Sequence, residues 1–153
     1  MTRVRPAARC VIDTMILQKA NAAITQTPKD RSQFRKRIDL LQQVSDGHVR
    51  VLLSRKLIQE YREKLPELRN EAIRAFWDLL ASPDRVQWNW PPWGGAERSH
   101  ATKCRFPRED WHLLRTAIRT GERTRLYSEE DRVLVARACI LRSFDVQIVD
   151  PRR

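Results

Sequence analysis

The chain predicts a three-layer α/β/α sandwich around a central, mainly parallel sheet, built as one domain over 1–153. Short runs rich in branched residues alternate with longer segments whose apolar residues recur at helical spacing, and this alternation is the first ground for that prediction. Hydrophobic residues make up 41% of 153, which is enough for one core and too little chain for two full domains. Strands that alternate with helices need right-handed crossovers, which place helices on both faces of the sheet.

Arg9-Cys10-Val11-Ile12 reads as the first strand, reaching Asp13 and Thr14 before a helix through Met15 to Ala20. Asp30 is placed to cap a helix carrying Phe34, Ile38, Leu41 and Val44, with Gly47 as its stop. His48 to Leu53 reads as a second strand, and Ser54 suits the cap of a helix with Leu57, Ile58, Tyr61 and Leu65. Pro66 is expected to open another helix bearing Ile73, Phe76, Trp77 and Leu80. Val86 to Trp90 reads as a strand broken by Pro91-Pro92-Trp93-Gly94-Gly95, so 88–106 is expected to be a Trp-, Pro- and Gly-containing loop or insertion. Pro107 then begins a helix with Trp111, Leu114, Ala117 and Ile118, closed by Gly121. Arg125 to Ser128 is a brief strand, a helix runs through Val133, Ala136 and Ile140, and Val146 to Val149 is the last strand.

Lys plus Arg is 30 against 19 for Asp plus Glu, a formal net charge of +11, and 24 of those cations are Arg. Such a surface favours a polyanionic partner, and the planar guanidinium suits phosphate. No run of about 18 apolar residues occurs, so no membrane span is expected. The basic stretch Met1 to Arg9 is followed by an apolar run that Asp13 interrupts, which argues against a signal peptide. Cys10, Cys104 and Cys139 are odd in number and lack a C-x-x-C pair, so reduced thiols and a cytoplasmic location are expected. There is no Gly-rich phosphate loop and no G-x-S-x-G elbow, which leaves P-loop nucleotide hydrolysis and serine esterase chemistry without support.

Parallel sheets of this kind place ligands beyond the carboxyl ends of their strands, and Asp13, Asp110 and Asp131 fall near that edge. The series Val11-Ile12-Asp13-Thr14, Leu57-Ile58-Gln59-Glu60-Tyr61, Glu109-Asp110-Trp111-His112 and Ser128-Glu129-Glu130-Asp131-Arg132-Val133 resembles the PIN-domain nucleases, in order and separation, over nearly the whole chain. The resemblance implies a ribonuclease that holds Mg²⁺ or Mn²⁺ on a carboxylate quartet: Asp13, Glu60, Asp110 and Asp131. Of these, Asp13, Asp110 and Asp131 would be metal ligands, with Thr14, Ser128 and Glu130 supporting them. It further implies a toxin of a toxin-antitoxin pair, with an RNA substrate, an antitoxin partner and a homodimer among its assemblies. Clustered carboxylates repel unless a cation joins them, and hard divalent cations take oxygen ligands, so the chemistry of the residues agrees.

Each acid has a plainer role. Asp13 can cap the helix that follows it, Asp110 and Asp131 can complement a helix dipole, and Glu60 can be a solvated helical residue. Where many relatives of the resembled family have one residue between Ser or Thr and Asp, this chain has two, Glu129 and Glu130. The apolar series Val135, Ala138 and Cys139 selects Asp131 over Glu130 as the acid facing the pocket. A fold of this type that binds nucleic acid or protein without cleavage, and a nuclease outside toxin-antitoxin systems, are the alternatives. Trp88, Trp90 and Trp93 suit base stacking, a partner surface or packing; His100, Cys104 and His112 match no familiar zinc spacing.

Overall fold

The structure, a computed structural model, describes residues 8–22, 27–47 and 49–153. The basic segment before Ala8, and His48 at the expected start of the second strand, lie outside the described residues. Five strands, β1 (Arg9–Ile12), β2 (Arg50–Leu53), β3 (Val86–Trp88), β4 (Thr124–Tyr127) and β5 (Val146–Val149), form one sheet in the order β3-β2-β1-β4-β5. Every neighbouring pair is parallel, so all carboxyl ends emerge along one edge. The architecture is the predicted α/β sandwich. Val11, Ile12, Leu52, Leu53 and Leu126 are fully or almost fully buried, as strands covered on both faces require.

Helices α1 (Thr14–Ala20), α2 (Pro28–Asp46), α3 (Arg55–Lys64) and α4 (Glu71–Leu79) connect the first three strands. Helix α2 begins earlier than expected: Thr27, rather than Asp30, is the cap, its hydroxyl accepting from the Asp30 amide at 3.2 Å, with Pro28 in the first turn. Its buried stripe is Arg37, Leu40, Leu41 and Val44, while Phe34 and Ile38 are half-buried. An arginine occupies a core-facing position because Glu129 meets it there. Arg37 donates through Nε and Nη2 to the two Glu129 carboxylate oxygens at 2.6 and 2.7 Å, and both side chains are buried. Lys19 and Arg152 approach the same carboxylate at 3.6 Å, tying α1, α2 and the chain end to the segment after β4.

Ser54 caps α3 as expected, accepting from the Leu57 amide. Pro66 opens no helix. Asn70 caps α4 instead, its carbonyl oxygen taking the Ile73 amide at 2.9 Å, and a side-chain carbonyl at the cap outweighs the preference of proline for the first turn. The region 88–106 is also not a simple loop, since it contains α5 (Gly95–Lys103), opened by the Glu97 carboxylate accepting from the Gly94 amide at 3.0 Å. Of α5 only Ala101 is buried, so the helix carries no apolar periodicity for a sequence reading to find.

A short 3₁₀ turn (Arg108–Asp110) leads into α6 (Trp111–Ala117), and after β4 come α7 (Asp131–Val135) and α8 (Arg137–Phe144). The two are separate helices divided at Ala136, yet the buried stripe keeps its helical spacing across that point, as the sequence predicts. The buried series is Val133, Ala136 and Ile140, whereas Val135 is 85% exposed and Ala138 is exposed. Two members of the apolar series that favours Asp131, Val135 and Ala138, therefore face solvent, and the third, Cys139, is half-buried. Cys104 and Cys139 form a disulfide with Cα atoms 5.4 Å apart, joining the end of α5 to α8. The expectation of three reduced thiols is thus overturned for two of them; Cys10 alone is free among the described residues. Sequence spacing could not reveal the pair because 35 residues separate its members.

Two stability measurements test these anchors. Replacing Arg37 by Ala leaves a buried carboxylate with weaker partners, and equilibrium urea unfolding is expected to show a loss of about 3 kcal/mol, the lower end for a broken buried pair because Lys19 and Arg152 remain. A change under about 1 kcal/mol would mean that the Arg37 contact contributes little. Reduction of the disulfide opens a loop of 35 residues and is expected to lower stability by up to about 4 kcal/mol, with thiol titration rising from one group to three.

Candidate active site at the carboxyl edge of the sheet

Asp13 stands immediately beyond β1, the central strand. Its amide donates to the Tyr127 carbonyl at 2.9 Å, carrying the β1–β4 pairing one residue past the strand. One carboxylate oxygen caps α1 by accepting from the Met15 amide at 3.4 Å, and the other accepts from the Ser128 hydroxyl at 2.9 Å. Capping and site placement are thus met by one side chain. The Ser128 oxygen also accepts from the Glu130 amide at 3.2 Å, so the turn after β4 is locked against Asp13. Burial is the largest influence on the Asp13 carboxyl and raises its pKa; the Ser128 and Met15 hydrogen bonds oppose that rise, while the Glu60 charge adds to it.

Glu60 comes from α3. The Tyr61 hydroxyl beside it donates to the Ile12 carbonyl, pinning this turn of α3 to the end of β1. Thr14 donates to Glu60 Oε2 at 3.0 Å, and His112 Nε2 on α6 lies 3.0 Å from the same oxygen. Among the described residues neither buried imidazole nitrogen has an aligned hydrogen-bond partner. Desolvation acts to raise the Glu60 pKa, but His112, Thr14 and Lys56 together outweigh it and the carboxyl lies below its usual range. Ser54 and Thr116 share a hydrogen bond of 2.9 Å between hydroxyls, which holds the start of α3 to α6 and so His112 to Glu60.

Asp110, at the end of the 3₁₀ turn, is half-buried. Desolvation first, then the charges of Asp13, Glu109 and Glu130, raise its pKa from 3.8 to about 6, against a smaller opposing effect of His112. Glu130 is half-buried and caps α7, with Arg132 Nε donating to it at 3.0 Å. Asp13, Glu60, Asp110 and Glu130 therefore belong to one electrostatic group. Asp131 does not: it is exposed, borders a surface hollow with Asp150 and Arg153, and acts on Arg152. Asp150 is buried and its carboxylate accepts from the Arg152 amide at 2.9 Å, a turn role.

Sequence reasoning missed two residues here. His112 was considered with His100 and Cys104, but Cys104 is engaged with Cys139 and His100 packs edge-on against Phe144. The only signal for its true place was a basic residue inside the apolar face of α6, next to Leu113 and Leu114. Glu129 has no assigned role in the sequence reading; it is buried on Arg37, and the charged residue on the α2 stripe is the signal for it.

Among the described residues no group of three His, Cys, Asp or Glu side chains is arranged to hold a metal ion by itself. The donors present at Asp13 and Asp110 are hard oxygens. Mg²⁺ commonly takes only one or two carboxylates and completes its shell with water and substrate phosphate, so this donor set fits such a cation and not a closed protein cage. No family model, curated protein or solved structure matches the chain.

Because the Asp110 pKa is raised, the folded protein holds that proton more tightly than the unfolded chain does. Its contribution favours folding below the ordinary value of 3.8 and is lost as pH rises through about 6. Asp110→Asn should match the parent in stability near pH ~4 and exceed it by about 1 kcal/mol above pH ~7, a figure reduced for solvent screening of a half-exposed group. Denaturant unfolding at both pH values reads this, and a variant equally stable or weaker at high pH would remove the charge-repulsion account.

Proposed function

We infer that the chain is an Mg²⁺- or Mn²⁺-dependent endoribonuclease of PIN-like type, acting as the toxin of a toxin-antitoxin pair. The observation that carries this reading is the placement of Asp13 immediately beyond the central strand of a parallel sheet, on the Ser128 hydroxyl, with Glu60 brought to the same edge on the Thr14 hydroxyl; the charges of Asp13 and Glu130 in turn raise the pKa of Asp110. Its supports are the four motifs in order and the excess of arginine. Asp13 and Asp110 would hold the cation. Glu130 completes the acidic group in place of Asp131, the ligand that the resemblance implies, because the Asp131 carboxylate is exposed and acts on Arg152. When bound, the cation supplies compensation for charge on the phosphoryl group and a more acidic water.

The chain's own groups do the remainder. Ser128 orients the Asp13 carboxylate, and Thr14 orients that of Glu60. In hydrolysis water adds to phosphorus and gives up a proton, the bond to the leaving nucleoside oxygen breaks, and that oxygen takes a proton from solvent. Glu60 is kept ionised by its partners and can accept that proton. Positive charge over the rest of the surface would draw RNA towards an otherwise repulsive pocket. No helix among the described residues is long and apolar enough to cross a membrane. A cytoplasmic location is part of the reading because the substrate is RNA.

One observation favours a second reading, a module that binds RNA without cutting it: no three acids or histidines close on an ion by themselves. Purified protein incubated with single-stranded RNA separates the two. Cleavage is expected with Mg²⁺ or Mn²⁺ and not with EDTA. Asp13→Asn should retain the circular dichroism of the parent and lose activity on the order of a hundredfold or more, since a metal ligand contributes several kcal/mol to the transition state. Binding without cleavage under any divalent cation would select the second reading. For the toxin role, expression alone should arrest growth and co-expression of the adjacent gene should relieve it, through an antitoxin covering the acidic pocket.

A further inference from the structure

A second feature lies on the same edge of the sheet, beyond β2 and β3. Leu53, Ser54, Arg55, Lys56, Gln59, Trp88 and Trp90 border a groove of about 770 Å³, a size usual for ligand sites. Trp88 is 61% exposed and Trp90 is 48% exposed, unusual for the largest apolar side chains. Trp93, the third member of the cluster, is different: it stacks on Phe144 with centroids 6.1 Å apart and contacts Trp111 at 5.6 Å. Packing thus accounts for Trp93 and leaves Trp88 and Trp90 unexplained.

Their exposure is imposed by the backbone. Asn89 between them is held from three directions: its amide donates to the Leu53 carbonyl at 2.8 Å, and its side chain donates to the Thr116 and Ile118 carbonyls at 2.8 Å each. In extended chain, neighbours of a residue turned inward point the other way, so both rings are directed outward together. The Arg115 guanidinium lies 3.9 Å from the Trp90 ring centroid and donates through Nε to the Pro91 carbonyl at 2.7 Å, which braces one face of that ring. Arg55 and Lys56, both exposed, add positive charge at the first turn of α3. Gln59 offers an amide that both donates and accepts. Lys56 and Glu60 are one helical turn apart and interact, so the groove adjoins the acidic cluster through α3.

We propose that this groove is a subsite for one or two unpaired nucleobases of single-stranded RNA, stacked on Trp88 and Trp90 with the flanking phosphates on Arg55 and Lys56. The inference rests on the RNA reading above and adds to it the part of the substrate that is recognised away from the scissile bond. Rigid aromatic faces beside cations select unpaired bases over paired ones, since a base in a duplex has no free face, and they do so with little preference among the four. A protein or peptide partner would be expected to face apolar rings without this cationic border.

The test uses the Asp13→Asn protein without divalent cation, so that binding is read apart from cleavage. Its probes are a labelled mixed-sequence RNA single strand, an abasic strand of equal length and an RNA duplex. Trp88→Ala and Trp90→Ala should each weaken single-strand binding roughly 5- to 100-fold and leave abasic and duplex binding within about twofold, as expected for base stacking. Trp88→Phe should restore most of the affinity. Arg55→Gln and Lys56→Gln should each lower the salt slope by roughly 0.7 for both single strands. Thermal unfolding checks that each variant is folded, and Trp88, the more exposed ring, is the reference site. The proposal is overturned if the parent binds the abasic strand as well as the natural one, or if neither tryptophan variant changes single-strand affinity. Cleavage with no dependence on either tryptophan overturns the subsite and leaves the nuclease standing. Tryptophan-dependent binding by a protein that never cleaves keeps the subsite and removes the nuclease.

Discussion

The hydrogen bond from the Asp13 amide to the Tyr127 carbonyl extends the central strand pairing past the end of β1, and the geometry of the site follows from it. A carboxylate at this place is buried, and burial of a charge is costly unless partners compensate. The partners are local and polar: the Met15 amide at the start of α1 and the Ser128 hydroxyl at the end of β4. Because β1 has β2 on one side and β4 on the other, the same point receives α3 through Tyr61 and α6 through Asp110 and His112. A sheet of five parallel strands brings all its carboxyl ends to one line, so residues nearly 100 positions apart in the chain can share charge there.

The acids after β4 divide between two tasks, although they stand next to one another. Ser128 turns towards Asp13, Glu129 turns away to the buried Arg37, Glu130 returns to the acidic group, and Asp131 is left in solvent. This alternation is what an extended segment does before a helix begins, and it sends two adjacent anions, Glu129 and Glu130, to different surroundings. Glu129 is compensated by three cations from α1, α2 and the chain end, so a break in any of those elements would expose an unpaired charge. Among the described residues Asp13 and Asp110 make no ion pair with a Lys or Arg, and only the weaker influence of His112 opposes their mutual repulsion.

The wall beyond β3 is held by different means. Asn89 binds β3 to α6, and the disulfide fastens α5 to α8. Helix α5 has almost no buried surface of its own, which makes the covalent link and the contacts of Trp93 its main attachments.

The strands, their alternation with helices and the first strand's terminal acid were legible in the sequence, because each is a local pattern: branched residues in short runs, a carboxylate ending an apolar run, a hydroxyl at a cap. Ser54 and the Val133, Ala136, Ile140 series belong to the same class. The elements that escaped were those with no periodic signal, above all the exposed helix α5, and those where a local rule lost to a competitor, as Pro66 did to the Asn70 cap. Pairings across the chain were decided by the tertiary structure alone: Arg37 with Glu129, Cys104 with Cys139, His112 with Glu60. The exposure of Asp131 belongs with them, since the buried stripe after it is Val133, Ala136 and Ile140 and not the series that Asp131 shares. Periodicity describes which side of one element is apolar; it carries no information about the element that will face it, and charge in a protein interior is governed by what it faces.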